Sequence, residues 1–337
     1  MKRIYLIRTL LAVACVLSLG ACKKLPDGFL SPIIRYEEDP ILIAKGRVYV
    51  SSALNFDGSS KPAKIKLLHV YNKTTGQNVD DLFFKKDTIK VWTALYDPKT
   101  DTTLEKIAAK QTDAVVPPII INESSGQLEA NFQTLYIPSG DYSFDLEISN
   151  GAGSKVYEKI GNFTLLDKRP FEAHPEIGTP YIRMIKVGNE GLGANLTKPE
   201  EVEVDIQRTG DAPNKVIVKM VDKNGIPFSP QGGEIERRPN TGNNPTPPFL
   251  QTLQDYSLKS ELFSDRMEFT YGTIPFPLAS LGNGYNIYYR IPTQFFSHDN
   301  QASYPDGQWS ANPRFVFRAY VPGTYVITFK AKVLTHK

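Results

Sequence analysis

Cys22 is the residue whose chemistry the sequence defines most clearly. It follows Leu19, Gly20 and Ala21, so an aliphatic residue and two small residues stand directly before a thiol. Small residues let an extended chain enter a peptidase cleft, and a thiol is a nucleophile that can accept diacylglycerol before cleavage. We therefore expect Cys22 to be the lipid-attachment residue, with the lipid bilayer as a partner through its acyl chains.

The residues before Cys22 have the pattern of a secretory signal peptide. Basic residues are followed by an apolar or small run from 9 to 21, which is too short for a bilayer span of roughly twenty residues. Together with Cys22 the pattern is that of a bacterial lipobox, so residues 1–21 are predicted to be removed. The basic residues are Lys2, Arg3 and Arg8.

Two other roles for Cys22 are less consistent with the sequence. A disulfide to Cys15 would lie in the segment predicted to be removed, where Cys15 acts as a small apolar residue. A buried structural thiol would need a folded surrounding that the polar residues after Cys22 do not offer.

A second group of residues could bind a sugar. The stretch 269–320 contains thirteen aromatic residues, and its polar loop holds four candidate ligand-binding residues. Flat aromatic rings suit the apolar face of a sugar, and carboxylate and amide groups suit its hydroxyls. The competing interpretation is that Trp309 packs on the end of a sandwich. The candidates are Trp309, Tyr304, Asp306 and Asn300.

No residue pattern predicts catalysis, and we expect a protein that is not an enzyme. Adjacent carboxylates such as Asp80 and Asp81 would face opposite ways on a strand, although a hydrolase with dispersed carboxylates stays an alternative. Loops rich in Asp and Asn could hold calcium, but turn chemistry also explains them. We expect no metal and no cofactor.

Composition limits the possible partners. The formal net charge is +3, and the three basic residues of the predicted signal account for all of it. No dense run of Lys and Arg supports nucleic-acid binding. No cysteine follows Cys22, so the fold depends on ordinary core burial.

The chain has the periodicity of an all-β protein. Apolar and polar residues alternate in short segments between turn residues, as in 141–148, 202–207 and 325–333. Because strand side chains alternate between two faces, each segment has one core face and one solvated face. We predict two β-sandwich domains, the first immunoglobulin-like and the second immunoglobulin-like or jelly-roll-like.

Three aromatic residues are predicted to be structural. Tyr142 and Tyr325 each follow a proline and a turn glycine and open an alternating strand, which resembles the tyrosine corner of immunoglobulin-like sandwiches. Tyr325 would lie on the last strand, so the second domain has either a different strand order or a jelly-roll-like one. Trp92, fifty residues before Tyr142, is predicted to be the core tryptophan of the third strand.

These patterns divide the chain into five parts. The predicted parts are a signal peptide (1–21), a lipidated tether (22–39), an immunoglobulin-like sandwich (40–167), a linker (168–180) and a second sandwich (181–337). The second sandwich includes a long surface loop at 222–249, which is rich in Pro, Gly and Asn.

The signal and lipobox, together with the stretches 25–60, 67–83 and 91–103, resemble a family of Bacteroidetes surface lipoproteins known only as a domain of unknown function. The resemblance implies an accessory of outer-membrane uptake systems of the starch-utilisation type. It carries over no active site. Both the cell surface and the periplasmic side of the outer membrane fit the sequence.

We therefore expect a membrane-anchored, non-catalytic lipoprotein that binds a glycan or another nutrient polymer. The alternative is a structural lipoprotein that docks on an outer-membrane transporter through its sheet edges or the 222–249 loop.

Overall fold

The structure, a computed structural model, describes residues 28–97, 100–101, 103–188, 195–238, 252–278 and 285–337. The predicted signal peptide 1–21 and Cys22 lie outside these residues. Within the described part, no helix is both long enough and apolar enough to cross a bilayer.

In its described part, the first half of the chain contains strands of two to fourteen residues and two short helices. Its strands are β1 (Ile41–Ala44), β2 (Tyr49–Val50), β3 (Ala63–Asn72), β4 (Asp87–Trp92), β5 (Gln111–Val116), β6 (Ile119–Ile121), β7 (Leu128–Ala130), β8 (Gly140–Asn150) and β9 (Gly153–Leu166). Its helices are α1 (Asp80–Phe83), α2 (Leu104–Ala108) and a 3-10 turn at Phe132–Tyr136.

Seven of these strands form a sandwich of two sheets. One sheet has the order β1-β9-β8-β3 and the other the order β2-β7-β6. β1 runs parallel to β9, whereas the other pairs are antiparallel. The strands β2, β3, β6, β7, β8 and β9 correspond to strands B, C, D, E, F and G of an immunoglobulin-like sandwich, and their order in the two sheets matches that fold. The hairpin β4–β5 is an insertion between strands C and D. Its core includes Leu146 and Phe163.

Both predicted tyrosine corners have their hydrogen bond. The Tyr142 hydroxyl donates to the Pro138 carbonyl at 2.8 Å. The Tyr325 hydroxyl donates to the Val321 carbonyl at 2.7 Å, and burial raises the pKa of Tyr325 to about 12. Each phenol therefore ties its strand to the backbone four residues earlier.

Part of the predicted tether belongs to the first sandwich, which corrects the boundary drawn at residue 39. Ile34 and Tyr36 are each 4% exposed and lie in the core. The Tyr36 hydroxyl donates to the Gly126 carbonyl at 2.5 Å, so this segment is fixed by both packing and a hydrogen bond. The prediction failed because the apolar residues of this segment come in adjacent pairs, Phe29-Leu30 and Ile33-Ile34, which match neither the strand period nor the helix period.

The second half contains thirteen strands in its described part. They are β10 (Phe171–Glu172), β11 (Tyr181–Lys186), β12 (Asn195–Leu196), β13 (Val202–Gly210), β14 (Lys215–Val221), β15 (Lys259–Leu262), β16 (Met267–Thr270), β17 (Asn286–Tyr288), β18 (Phe296–His298), β19 (Trp309–Val316), β20 (Arg318–Ala319), β21 (Thr324–Ala331) and β22 (Leu334–His336). Short 3-10 turns lie at Pro199–Glu201, Leu253–Asp255 and Thr293–Phe295.

The second sandwich also packs two sheets around a core. One has the order β12-β11-β19-β17 and the other the order β13-β21-β14-β16-β15. The last long strand, β21, lies between β13 and β14 and runs parallel to β14. The strand order therefore differs from that of the first sandwich, as the place of Tyr325 on a last strand suggests. The core includes Met184, Phe315 and Phe329.

Two segments predicted to be connections contribute to this second core. In the predicted linker 168–180, β10 pairs with β20, and Phe171 is 5% exposed. In the predicted surface loop 222–249, Phe228 is fully buried and Ile235 is 5% exposed. The linker was predicted from its prolines and polar residues and the loop from its Pro, Gly and Asn content, and neither shows where single apolar residues pack. Residues 239–249 of that loop lie outside the described residues.

Candidate functional site

The predicted aromatic pair in the 298–309 loop does not form a flat surface. Trp309 is the first residue of β19 and lies on the strand side that carries Ala311 and Phe315, so it packs against the second core. The rings of Tyr304 and Trp309 are 5.2 Å apart and perpendicular, at 89°. Both are only half-buried, but two perpendicular rings cannot stack on one face of the same sugar ring.

Asp306, another predicted ligand-binding residue, holds the loop in place. Its carboxylate accepts hydrogen bonds from Lys337 at 2.8 Å, Gln301 at 2.8 Å and Ser297 at 2.9 Å. The Lys337 contact, and then the Gln301 bond, hold the pKa of Asp306 below its usual value. Because these three donors already satisfy the carboxylate, we assign Asp306 a structural role.

Asn300, the fourth candidate, shapes a turn beside a buried histidine. Its backbone N–H donates to His298 Nδ1 at 2.9 Å, and its side-chain oxygen accepts from the Ser303 N–H at 3.1 Å. The His298 ring lies 4.5 Å from the Tyr304 ring. The four candidates are therefore close together, but their contacts mainly build the loop.

Trp92 is not a core residue, and the prediction that it fills the core of the third strand is wrong. It is 39% exposed, and its ring lies 5.7 Å from the Tyr96 ring. The third strand is β3, where Ile65 and Val70 supply the buried side chains. Trp92 ends β4, which among the described strands pairs with β5 alone, in a separate two-stranded sheet.

The register of this hairpin places Trp92 on a polar face. Trp92 lies opposite Gln111, and Lys90 lies opposite Asp113. Residues at i and i+2 of a strand share a face, so Thr88 joins this set. Lys90 Nζ lies 2.7 Å from the Asp113 carboxylate, which neutralises both charges. The face therefore presents an indole beside a neutral amide.

A buried ion pair braces the turn of the hairpin. Asp101 is 3% exposed and accepts from the Asp97 N–H and from Lys110 Nζ, both at 2.7 Å. Lys110 also donates to the Leu95 carbonyl at 2.9 Å. The Asp97 and Lys110 hydrogen bonds lower the pKa of Asp101. Ile107 of α2 is 2% exposed, so the turn is anchored by burial as well.

The hairpin and the second sandwich enclose an open cleft of about 360 Å³. This volume is within the range of small-molecule sites. Trp92 and Phe132 supply apolar surface on the first-sandwich side. The second sandwich contributes Asn214, Thr273 and Ile274. We call this the Trp92 cleft.

Several polar groups in the Trp92 cleft have no partner within the described residues. They are the side-chain amide of Gln111, the amide nitrogen of Asn214 and the indole N–H of Trp92. The oxygen of Asn214 accepts from the Gly323 N–H at 3.0 Å, which fixes the direction of its amide. These groups include donors and an acceptor, the combination that a hydroxyl-rich ligand requires.

No described part of the chain brings three or more His, Cys, Asp or Glu side chains together as a possible metal site. Sequence reasoning missed the Trp92 cleft because its walls come from both halves of the chain. One signal was available in the sequence. The long segment 63–72 already supplies a strand at the third position, so Trp92 had to lie on a later strand.

No family model and no curated protein matches the chain. One solved structure is similar, a SusE-like surface-located polysaccharide-binding protein from the heparin utilisation locus of Bacteroides thetaiotaomicron. It is 8% identical, with a TM-score of 0.24, and the match covers 88% of this chain. The chain spans about half, 53%, of that protein's length. A TM-score this low carries no argument about the fold or the ligand.

Proposed function

We propose that this chain is a membrane-anchored, non-catalytic lipoprotein that binds a glycan in the Trp92 cleft, as an accessory to nutrient uptake at the outer membrane. The observation that carries the proposal is the exposed indole of Trp92 beside the uncommitted amides of Gln111 and Asn214. An aromatic face contacts sugar C–H groups, and amides bond to sugar hydroxyls.

The electrostatics of the cleft favour a neutral sugar unit. The Lys90 charge is paired with Asp113 at 2.7 Å, and the other polar side chains of the wall are amides and two threonine hydroxyls. Hydrolysis of a glycosidic bond would need a pair of carboxyl groups flanking the bond. The described cleft wall has none, so the cleft serves to hold a ligand.

Intrinsic fluorescence tests the binding. The chain contains two tryptophans, so Trp309→Phe leaves Trp92 as the single reporter. Titration of this variant with a broad panel of oligosaccharides is expected to shift or quench its emission, because a stacked sugar displaces water from the indole. The matched variant Trp92→Phe should show no change. Silence across the panel, with an intact circular dichroism spectrum, would overturn the proposal.

Metabolic labelling tests the anchor. Cys22→Ser removes the thiol that would carry the lipid, so the variant is expected to incorporate no fatty-acid analogue and to leave the membrane fraction or stay uncleaved. The unchanged chain should be labelled. An unlabelled parent chain would contradict the lipoprotein assignment without affecting the glycan assignment.

A further inference from the structure

Arginine and tyrosine side chains converge on the outer face of the second sandwich, away from the Trp92 cleft. In β11, Tyr181 and Arg183 alternate with the core residues Ile182 and Met184, so they face outward. Tyr181 lies directly opposite Arg314 of β19. Cross-strand partners on one face are neighbours, so two cationic side chains share this surface.

Arg314 is held in a fixed orientation by neutral partners. Its Nε donates to the Asn286 side-chain oxygen at 2.6 Å, and its Nη1 donates to the Tyr181 hydroxyl at 2.8 Å. The guanidinium carbon lies 4.7 Å from the centre of the Tyr181 ring. These contacts orient the guanidinium without neutralising its charge.

Arg238 brings a third guanidinium to the same place. Its central carbon lies 5.9 Å from the centre of the Tyr288 ring, and the Arg314 carbon lies 5.8 Å from that centre. Burial lowers the pKa of Arg238, and the neighbouring charge of Arg183 lowers it further. Two like charges are therefore within electrostatic range of each other.

Two other arginines, Arg237 and Arg290, are each paired with a carboxylate, which is the usual arrangement. Arg237 lies 2.7 Å from the Asp255 carboxylate, and Glu236 lies 3.2 Å from Arg290. By contrast, no carboxylate of the described residues lies within ion-pair distance of Arg183, Arg238 or Arg314. Clustered like charges repel each other, and a bound anion would remove the repulsion.

We propose that Arg183, Arg238 and Arg314, the arginine face, bind the carboxylate or sulfate group of an acidic glycan. This inference rests on the proposed glycan-binding function and adds the charge class of the ligand. Guanidinium groups bind such anions through two parallel hydrogen bonds. The arginine face would hold an acidic unit, while the Trp92 cleft holds a neutral unit.

The experiment is affinity electrophoresis of residues 23–337, the chain that follows the predicted signal peptide and the lipid-bearing Cys22. The probes are polygalacturonate, dextran sulfate and uncharged dextran, with a panel of neutral glycans. Arg183→Gln and Arg238→Gln should each weaken binding of an acidic polymer about tenfold or more, because each removes a charge-assisted contact. The carboxylate and sulfate probes show which anion the face prefers.

Three matched variants make the test specific. Lys66→Gln removes one exposed positive charge from the first sandwich and should leave acidic binding unchanged. Arg238→Lys keeps the charge but loses the planar fork, so it should retain only part of the affinity. Trp92→Ala should weaken binding of neutral glycans. Arg238→Gln should weaken binding of acidic glycans.

The outcomes separate this inference from the proposed function. Glycan binding that Trp92→Ala removes and the arginine variants leave unchanged would overturn the acidic-glycan inference alone. An unchanged or higher Tm for ligand-free Arg238→Gln, with weaker acidic binding, would support it. A lower Tm with unchanged acidic binding would show a structural role and overturn it. A wild type that binds neither polymer class would overturn both proposals.

Discussion

The two tryptophans have different surroundings, Trp92 on a hairpin and Trp309 at the start of a sandwich strand. Trp309 lies on the core side of β19, and its half-buried ring packs on Tyr304. Trp92 ends a strand with one partner, and its ring is 39% exposed. A tryptophan within a sheet of a sandwich completes packing, whereas one on an inserted hairpin remains available to a ligand.

The polar residues around the two rings differ in the same way. Beside Trp309, the Asp306 carboxylate is satisfied by three donors within the loop. Beside Trp92, the Gln111 amide has no partner within the described residues. The polar atoms of residues that build a loop already have hydrogen-bond partners within it. A high density of polar residues in a sequence is therefore a poor guide to a binding site.

The two tryptophans should differ most in their contribution to stability. Trp309→Ala should lower the free energy of unfolding by about 2 kcal/mol, because it leaves a void at the core edge. Trp92→Ala should lower it by less than about 1 kcal/mol, because its ring is exposed. Urea denaturation measures both. Equal losses of unfolding free energy would contradict the assignment of Trp309 to packing and of Trp92 to an exposed surface.

The next effect is on ligand affinity. Trp92→Ala should weaken binding of a neutral glycan by about tenfold, since it removes the stacking surface. Tyr136→Ala removes an aromatic ring that is 67% exposed elsewhere, so it is the matched control and should change little. Calorimetric titration gives both affinities, and similar losses would argue against a specific site.

A smaller effect tests the brace of the hairpin. Lys110→Met removes the contacts with Asp101 and the Leu95 carbonyl, which position the turn after Trp92. We expect glycan affinity to fall by about threefold, because the ring is held less firmly for the ligand. Lys66→Met is the control in the same sandwich. Unchanged affinity in Lys110→Met would show that the brace serves stability alone.

The smallest effect is the pH dependence at His298. Burial lowers the pKa of His298 despite the opposing charges of Asp299 and Glu201, and its Nδ1 accepts the Asn300 N–H. The unfolded chain therefore binds a proton more readily, so stability is present above about pH 6.5 and decreases as the pH falls below it.

Thermal unfolding from pH 5 to pH 8 checks this expectation. The Tm of the parent chain should fall on the acidic side more than the Tm of His298→Gln. His174→Gln, at an exposed histidine, should keep the slope of the parent chain. If His298→Gln has the same slope of Tm against pH as the parent chain, the pH dependence does not come from His298.

Much of the architecture could be predicted from short-range patterns. The alternation in 141–148 predicts β8 with its buried Phe144 and Leu146. The proline and glycine before Tyr325 predict its hydrogen bond to the Val321 carbonyl. These features depend on neighbours within a few residues. The burial of Ile34 and Phe228 could not be predicted, because their packing partners are distant in the chain.

Local patterns in the sequence were enough to predict the all-β class and the two tyrosine corners, because a period of two and a fixed turn depend on neighbouring residues. Adjacent residues also suffice for the prediction that Cys22 carries a lipid, which the fold does not test. The tertiary structure decided which tryptophan is accessible and which polar groups are uncommitted. It did so because the Trp92 cleft joins Gln111 to Asn214, and the arginine face joins Arg183 to Arg314, across long separations in the chain.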